Sequence, residues 1–531
     1  MRRWNGWGSS AISLDLPKHG AAFLQQRIGQ AVPLQDATLE QVLAKVPASR
    51  APNHRLVNTE PEVRVRHARG QSAADWLAMR SGEFGLFPDG VAFPESPAEV
   101  RELLAWAAQA QIVLIPYGGG TSVAGHINPL PDQRPVITVS LARIKQLLDL
   151  DPLSCVATIG PGANGPEVES QLRAKGYTLG HFPQSWELST VGGWVATRSS
   201  GQQSLNYGRI EQLFAGGTLE TFAGPLELPT FPASAAGPDL REWVMGSEGR
   251  FGIISQVKLN VSKLPEQEQF FSVFLPDWQT ALAAVRQLAQ DKVALSMLRL
   301  SNPLETETQL ALAASPQQIQ WLNKYLGWRG VGAQKCLLTF AFTGSKAKNK
   351  LALAQTRALL KRSGAAFISK KLGAKWLENR FKSPYLREAL WQLGYLVDTL
   401  ETATPWSNTS QLMQQMEQAI SASLAKLDTP THVFSHLSHV YAQGSSIYTT
   451  YILPVADSYA ATYQRWQAAK TAATQVIADH QGTLSHQHGV GRDHAPWLAQ
   501  EKGALGIQAI RQVAHYYDPQ QQLVPGILLQ D

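Results

Sequence analysis

The sequence predicts an α+β protein, with a mixed α/β domain followed by a second domain of sheet and covering helices. Three observations carry this reading. β-Branched runs at 112–115, 136–139 and 155–159 alternate with helical segments, and a strand-like run at 252–261 closes the region. Beyond it, 278–289, 349–361, 384–400 and 412–427 have helical spacing, with strands at 335–342 and 433–453. The last hundred or so residues carry a histidine-rich loop and a long helix. The 531 residues therefore divide into an N-terminal extension, 1–85, partly helical near 39–45; a first domain, 86–265; a second, 266–430; and a C-terminal part, 431–531, that completes the second.

The elements have local causes. Ser96-Pro97-Ala98-Glu99 starts a helix: Ser96 caps it, Pro97 fills the first turn, and Glu99 is expected to close a capping box. Leu103, Leu104 and Trp106 continue it up to the strand at 112–115. The helix expected at 384–400 rests on the stripe Leu386, Leu390, Leu393, Val397 and Leu400, with Arg387 at its edge.

Composition narrows the function. Hydrophobic residues make up 44% and charged residues 17%, as in an ordinary globular protein. A net charge of +6 suits an anionic small ligand or a loose membrane-surface contact, and is too small to point to nucleic acid. Cys155 and Cys336 make neither a disulfide framework nor a metal site, so a reducing, cytoplasm-like compartment is expected. No apolar run is long enough to span a bilayer; the first ten residues do not read as a secretory signal, nor the last three as a peroxisomal one.

After the strand at 112–115 stands Pro116-Tyr117-Gly118-Gly119-Gly120-Thr121-Ser122. Successive glycines let backbone amides reach phosphate oxygens, and the two hydroxyls add donors. The prolines of His126-Ile127-Asn128-Pro129-Leu130-Pro131 break any following helix, so a nucleotide here rests on loop amides rather than on a Rossmann helix dipole. Alone, such a loop reads as a surface turn. Two further stretches of small residues follow it. Ser189-Thr190-Val191-Gly192-Gly193-Trp194-Val195-Ala196-Thr197-Arg198-Ser199-Ser200-Gly201 allows a flat ring close to the backbone, and Met245-Gly246-Ser247-Glu248-Gly249-Arg250-Phe251-Gly252-Ile253-Ile254 feeds a strand.

The order and spacing of these three segments resemble those of the FAD domain of vanillyl-alcohol oxidase-type (PCMH-type) flavoproteins. The resemblance implies a two-subdomain FAD-binding domain, an α/β substrate (cap) domain and a C-terminal helical segment. It implies FAD contacts from Pro116, Tyr117, Gly118, Gly119, Gly120, Thr121 and Ser122 on the pyrophosphate. Gln184, Ser185, Glu187, Ser189, Thr190, Thr197, Arg198, Ser199 and Ser200, with Glu248, Gly249, Gly252, Ile253 and Ile254, would wrap the flavin and adenosine portions. Noncovalent FAD is expected, because 117–120 lacks an attaching histidine and His126 is the only one nearby.

Within that group the chain resembles the alkyldihydroxyacetonephosphate synthases over most of its length. Trp4-Asn5-Gly6-Trp7-Gly8, His181, Arg299, Tyr385-Leu386-Arg387, Glu401-Thr402-Ala403-Thr404-Pro405-Trp406, Gly444-Ser445-Ser446-Ile447-Tyr448 and Leu484-Ser485-His486-Gln487-His488-Gly489-Val490-Gly491 match the family in order. The resemblance implies replacement of the acyl group of acyl-dihydroxyacetone phosphate by a fatty alcohol, with no net redox change. Arg387 would fork onto the departing carboxylate. Tyr448, His486 and His488 would handle protons, His181 would lie near the flavin, and Arg299 and Gln487 would support substrate. The partners implied are a lipid phosphate ester and a fatty alcohol; a peripheral membrane contact and a homodimer are compatible with the reading.

Two positions depart from the family. Its loop usually has three histidines, and the middle one is Gln487 here; its acidic residue after the flavin-segment proline is Gln184. A second reading is an FAD-dependent oxidoreductase acting on a D-2-hydroxy acid such as lactate or glycolate. Such relatives hold a metal through residues whose places fall at Tyr448 and Gln487, so no metal is expected. His432, His436 and His439 read as core, because no acid is near in sequence and His439 would face away from the other two on one strand. A third reading is a degenerate flavin-binding protein, which retention of Arg387, Tyr448, His486 and His488 disfavours.

Overall fold

The computed structural model describes residues 2–530 and contains sheets of four, five and seven strands, with a two-stranded pair beside them. The first sheet is ordered Val57–Asn58, Gly90–Ala92, Val136–Ser140, Val113–Tyr117, and its last three strands are parallel. Parallel strands of one sheet need a crossover; the helix Pro97–Ala110 carries the chain from Gly90–Ala92 over to Val113–Tyr117, on the far side of Val136–Ser140, burying Val100, Leu103, Leu104 and Ala107. Ser96 caps this helix by accepting the Glu99 amide at 3.3 Å. The expected box does not close. The Glu99 carboxylate instead takes the Glu95 amide at 2.7 Å and Arg55 at 2.9 Å, because the guanidinium draws it outward.

The second sheet, Leu147–Asp151, Val156–Ile159, Ile253–Asn260, Phe214–Thr221, Gly224–Leu228, is antiparallel throughout. Val168 and Leu172 of the helix Gly165–Arg173, with Val191, Trp194 and Val195 of Val191–Ala196, complete its core.

The seven-stranded sheet, also antiparallel, is ordered Ala366–Ser369, Gln267–Leu275, Cys336–Gly344, Met297–Ser301, His432–Leu437, Gly444–Pro454, Tyr395–Pro405. Helices Trp278–Gln290, Lys346–Arg362, Trp406–Ala425 and Tyr459–Asp479 pack Val285, Leu359, Met416 and Ile477 into its core. The segment read as one helix over 384–400 splits. A 3-10 turn Ser383–Tyr385 and the helix Leu386–Gln392 give way at Gly394 (φ +82°) to the strand Tyr395–Pro405. An eleven-residue ladder to Gly444–Pro454 outweighs the helical spacing of Val397 and Leu400. The run at 433–453 is likewise two strands, His432–Leu437 and Gly444–Pro454, paired to each other.

The N-terminal stretch is built into the molecule. Leu24 and Ile28 of the helix Lys18–Ile28 pack on Phe434 and Ile452, while Trp7 and Trp76 share a core with Tyr385. Both cysteines are free. The far end of the chain returns to the first sheet, where Leu114 donates to the Gln522 carbonyl at 2.7 Å and Val524 donates to the Leu114 carbonyl at 3.1 Å. The buried Gln522 amide nitrogen also donates to the Ala107 and Ile112 carbonyls, at 2.7 and 2.8 Å. Gln522→Leu removes both bonds, leaving the Ala107 carbonyl only its backbone donors, and is expected to cost about 1–3 kcal/mol. A lowered thermal midpoint, with the secondary-structure signal unchanged at 20 °C, is the expected result; an unchanged midpoint would remove this tail from the account of stability.

Candidate active site

A cavity of about 580 Å³ runs between the two smaller sheets and the seven-stranded one. Its cofactor-side wall brings the three glycine-bearing segments together. Pro116 to Ser122 line it with Gln184, Ser185, Ser189, Thr190, Thr197, Ser199, Glu248, Gly249, Gly252 and Ile254. A Cβ at Gly118 would overlap the Thr190 hydroxyl, and one at Gly119 the Leu188 carbonyl, so the first segment needs glycine to lie on the second. Among the described residues, no acceptor takes a hydrogen bond from the amides of Gly119, Gly120, Thr121 or Ser122, and the buried Thr190 hydroxyl has no partner. Open amides and hydroxyls along one wall fit a pyrophosphate, such as that of FAD.

Four expected cofactor residues stand off the wall. Glu187 accepts from the Tyr385 hydroxyl at 2.8 Å, and Arg198 pairs with Glu242 at 2.6 Å. Ile253 is core, and Ser200 is buried behind the wall. His181 also lies behind it, its ring 4.8 Å from that of Trp194 and its Nε2 3.2 Å from the Ser199 hydroxyl. Gln71, Pro161 and Gln202 line the cavity without having been singled out; a proline and two glutamines in polar sequence give no distinctive signal.

On the other wall, strand register decides what meets. His436 faces Tyr448, which faces Glu401; Phe434 faces Thr450, which faces Thr399; and His432 faces Ile452, which faces Val397. Directly paired residues share a face, so one side of the sheet grades from polar to apolar. Leu390, Leu24 and Leu16 continue the apolar end of the cavity. At the polar end the Tyr448 hydroxyl donates to Thr399 Oγ1 at 3.2 Å, and its ring stacks on His436 at 4.8 Å. Burial pushes the phenol up to about 12, so it carries its proton at neutral pH. The Arg387 guanidinium lies 4.1 Å above Trp76 and donates to the Gln71 carbonyl at 2.7 Å, with no carboxylate paired to it among the described residues.

Arg299 donates to Glu305 at 2.8 Å, and His436 Nδ1 lies 2.9 Å from the same carboxylate oxygen. Burial alone would raise the Glu305 carboxyl, but His436 and Arg299 outweigh it and hold it at about 2. Sequence reasoning missed Glu305, because Asn302-Pro303-Leu304-Glu305 reads as a helix start, and Asn302 does cap it. The three tempting histidines do have partners, supplied by distant sequence. His432 meets the Thr308 hydroxyl at 2.8 Å, His436 meets Glu305, and His439, beyond the end of its strand, lies 3.3 Å from Glu401.

Glu401 anchors the histidine loop. Its buried carboxylate accepts from Gln487 Nε2 at 2.6 Å and from the Ser438 hydroxyl at 2.7 Å, and lies 3.2 Å from His486 and 3.9 Å from His488. Gln487 and His488 face the cavity. His486 does not line it; its Nε2 lies 2.6 Å from the Tyr441 hydroxyl, deep in the fold. Ligand-type atoms of Glu401, His439 and His486 all fall within 4.8 Å of one another. On the far side of the loop, Glu248 accepts the Val490 and Gly491 amides at 2.5 and 2.7 Å and lies 3.0 Å from His126.

Burial, opposed by Glu401, lowers His486 to about 4; burial also lowers His67 and His432 to about 4 and His181 to about 3. The unfolded chain takes up these protons near pH 6.5 and the folded chain only at lower pH, so stability is lost as pH falls through that interval. The thermal midpoint is expected to be level just above pH 7 and to fall between about pH 6.5 and 4. A midpoint that stays level down to pH 4.5 would contradict buried neutral histidines.

Residues 88–224 match the family model for an FAD binding domain, and residues 264–528 match that for the C-terminal domain of FAD linked oxidases. The alkyldihydroxyacetonephosphate synthase of Dictyostelium discoideum is 30% identical over 87% of this chain and 78% of its own length. That of Trypanosoma brucei brucei is 26% identical over 99% and 92%. A solved alkyldihydroxyacetonephosphate synthase structure superposes with a TM-score of 0.83 at 25% identity, covering 99% of this chain and 98% of that one. Similarity to p-cresol methylhydroxylase, at 14% identity and a TM-score of 0.66, extends the fold alone. The chain belongs to the alkyldihydroxyacetonephosphate synthase family.

Proposed function

We propose that this chain is an FAD-dependent enzyme that replaces the acyl group of acyl-dihydroxyacetone phosphate with a fatty alcohol. The observation that carries the reading is the graded sheet face. An unpaired arginine and a protonated tyrosine stand at one end, and an apolar arm along Val397, Phe434, Ile452 and Leu390 at the other. A lactate or glycolate oxidase has no use for such an arm, whereas a long acyl or alkyl chain fills it. The open amides of Gly119, Gly120, Thr121 and Ser122 and the Thr190 hydroxyl would hold FAD noncovalently, and the bound flavin would supply an electron-accepting ring for the exchange. Arg387 keeps two nitrogens free beyond its bond to Gln71 and receives the departing carboxylate bidentately. Tyr448 holds a proton on its hydroxyl beside the reacting carbon, and His488, lowered by burial despite Glu401, is neutral and can accept the proton of the incoming alcohol. Gln487, tied by its nitrogen to Glu401, positions rather than shuttles protons.

The test is formation of ether from palmitoyl-dihydroxyacetone phosphate and labelled hexadecanol, run beside dye reduction with D-2-hydroxy acids. Label is expected in the ether and no dye is expected to be reduced; the reverse pattern would install the oxidoreductase reading. Tyr448→Phe and Arg387→Lys should keep FAD yet lose about 10²–10⁴ in turnover, whereas Gln487→His should change it less than about tenfold. Wild-type turnover in the first two variants would return both residues to structural roles.

No described helix is long and apolar enough to cross a membrane. Contact with a bilayer surface is supported by the helix Pro316–Trp328, whose Trp321 and Trp328 are 73% and 90% exposed, the first beside Lys324 and the second next to Arg329 in the chain. Exposed tryptophans beside lysines suit an anionic headgroup layer. The preceding helix, Pro303–Ala313, contributes Gln309 and Leu312 to the cavity, so substrate and membrane would meet at one side. Co-sedimentation with phosphatidylserine vesicles is expected to fall in the Trp321→Ser, Trp328→Ser double variant; equal sedimentation would remove this helix from the reading.

A further inference from the structure

Three arginines line the cavity, and they differ in what neutralises them. Arg299 has Glu305, and Arg387 has the Gln71 carbonyl and the face of Trp76. Arg380 has aromatic faces but neither a carboxylate nor a carbonyl partner. Among the described residues it makes no hydrogen bond and pairs with no carboxylate, and its Nη1 is fully buried. Its guanidinium carbon instead lies 4.6, 4.7 and 5.9 Å from the ring centroids of Phe182, Phe381 and Phe270. Three rings hold the fork in one plane and keep water from its flanks. Burial lowers the pKa of Arg380, with only the more distant charges of Glu268 and Glu169 to oppose it. A guanidinium stays charged under such pressure, and a desolvated cation without a counter-charge is costly.

Arg380 also has a companion. Gln184 donates its amide to the Ser383 hydroxyl oxygen, and both residues line the cavity beside Arg380. With that lone pair occupied, the Ser383 O–H is left to donate to something else. A planar fork plus a hydroxyl donor is the donor set of a phosphate monoester, whose three oxygens accept from several directions. The segment that carries Arg380 and Ser383 goes on to Arg387, so one stretch of chain sets two cations along the cavity.

We propose that Arg380 and Ser383 form a phosphomonoester subsite that holds the phosphate of the ester substrate while Arg387 takes the carboxylate of the departing acyl group. The identity of the phosphate carrier rests on the exchange reaction proposed above; the subsite itself does not. Phosphate chemistry has a second source, the pyrophosphate of FAD, and the test separates the two.

The purified holoenzyme is titrated with dihydroxyacetone phosphate, and separately with palmitate, by calorimetry and flavin absorbance. Arg380→Met keeps an apolar-fitting side chain between the rings and is expected to weaken dihydroxyacetone phosphate about ten- to a hundredfold. Palmitate affinity and one FAD per chain are expected to persist, and Arg387→Met should show the opposite preference. Ser383→Ala, which leaves the Arg380 fork and its rings in place, should weaken the phosphate ligand about three- to tenfold and guards against a folding defect in the first variant. Wild-type affinity for dihydroxyacetone phosphate in both variants, loss of FAD in place of that ligand, or no binding of it by the wild-type holoenzyme would each overturn the subsite. Selective loss at Arg380 in an enzyme that forms no ether would keep the subsite and replace the substrate by another phosphomonoester.

Discussion

The active site depends on a loop held between two buried carboxylates. Glu401, on a strand of the seven-stranded sheet, takes the side chain of Gln487 and stands beside His486 and His488. Glu248, from the third glycine-bearing segment, takes the amides of Val490 and Gly491. One loop is therefore bonded to the sheet that carries Tyr448 and to the segment that walls the cofactor side. Charge-assisted bonds in a dry setting are strong, and removing either carboxylate leaves donors buried without acceptors. Glu248 adopts a positive φ of 54°, a conformation uncommon for a side-chain-bearing residue, which the two amides it accepts help to hold.

Around that loop the cavity is ordered by charge. Burial keeps Tyr448 protonated and lowers His486 and His488, so the fixed positive charge comes from arginines, whose pKa burial cannot bring near neutrality. Arg299 is paired with Glu305, whereas the other two are desolvated in part by aromatic faces, Trp76 under Arg387 and three phenylalanines around Arg380. Such faces leave the N–H groups free for a ligand, which a carboxylate partner would not. The apolar arm then follows from strand alternation alone, since every second residue from Tyr448 to Ile452 turns to the same side.

Much of the cofactor wall was legible in sequence, because small residues in a fixed order leave a signal that survives without contacts. Glu187 and Arg198 lay within the right segments but point out of the wall, and segment-level resemblance cannot tell inward from outward side chains. The split of 384–400 into helix and strand was hidden because Leu386, Leu390, Leu393, Val397 and Leu400 satisfy a helical stripe. The deciding fact, pairing with Gly444–Pro454, is non-local. Glu305 and the partners of the three histidines were illegible for the same reason, and Glu401 stood in a matching stretch without a sign of what it binds: each bond joins residues far apart in the chain, or hides behind a capping pattern. Arg380 stands in an unremarkable run of polar residues, and only the rings that close on it distinguish it from a solvated arginine.

Hydrogen exchange of the loop is the most direct test of the two-carboxylate account. The amides of Val490 and Gly491 should be strongly protected in the wild-type holoenzyme. They should exchange at least about tenfold faster in Glu248→Gln, the loss of about one strong hydrogen bond, while the strands of the seven-stranded sheet keep their protection. In Glu401→Gln the increase should extend over 486–488, where the side-chain anchors are lost. Unchanged exchange across 486–491 in both variants would show that the loop is held by something other than these carboxylates, and the account of the site would fail with it.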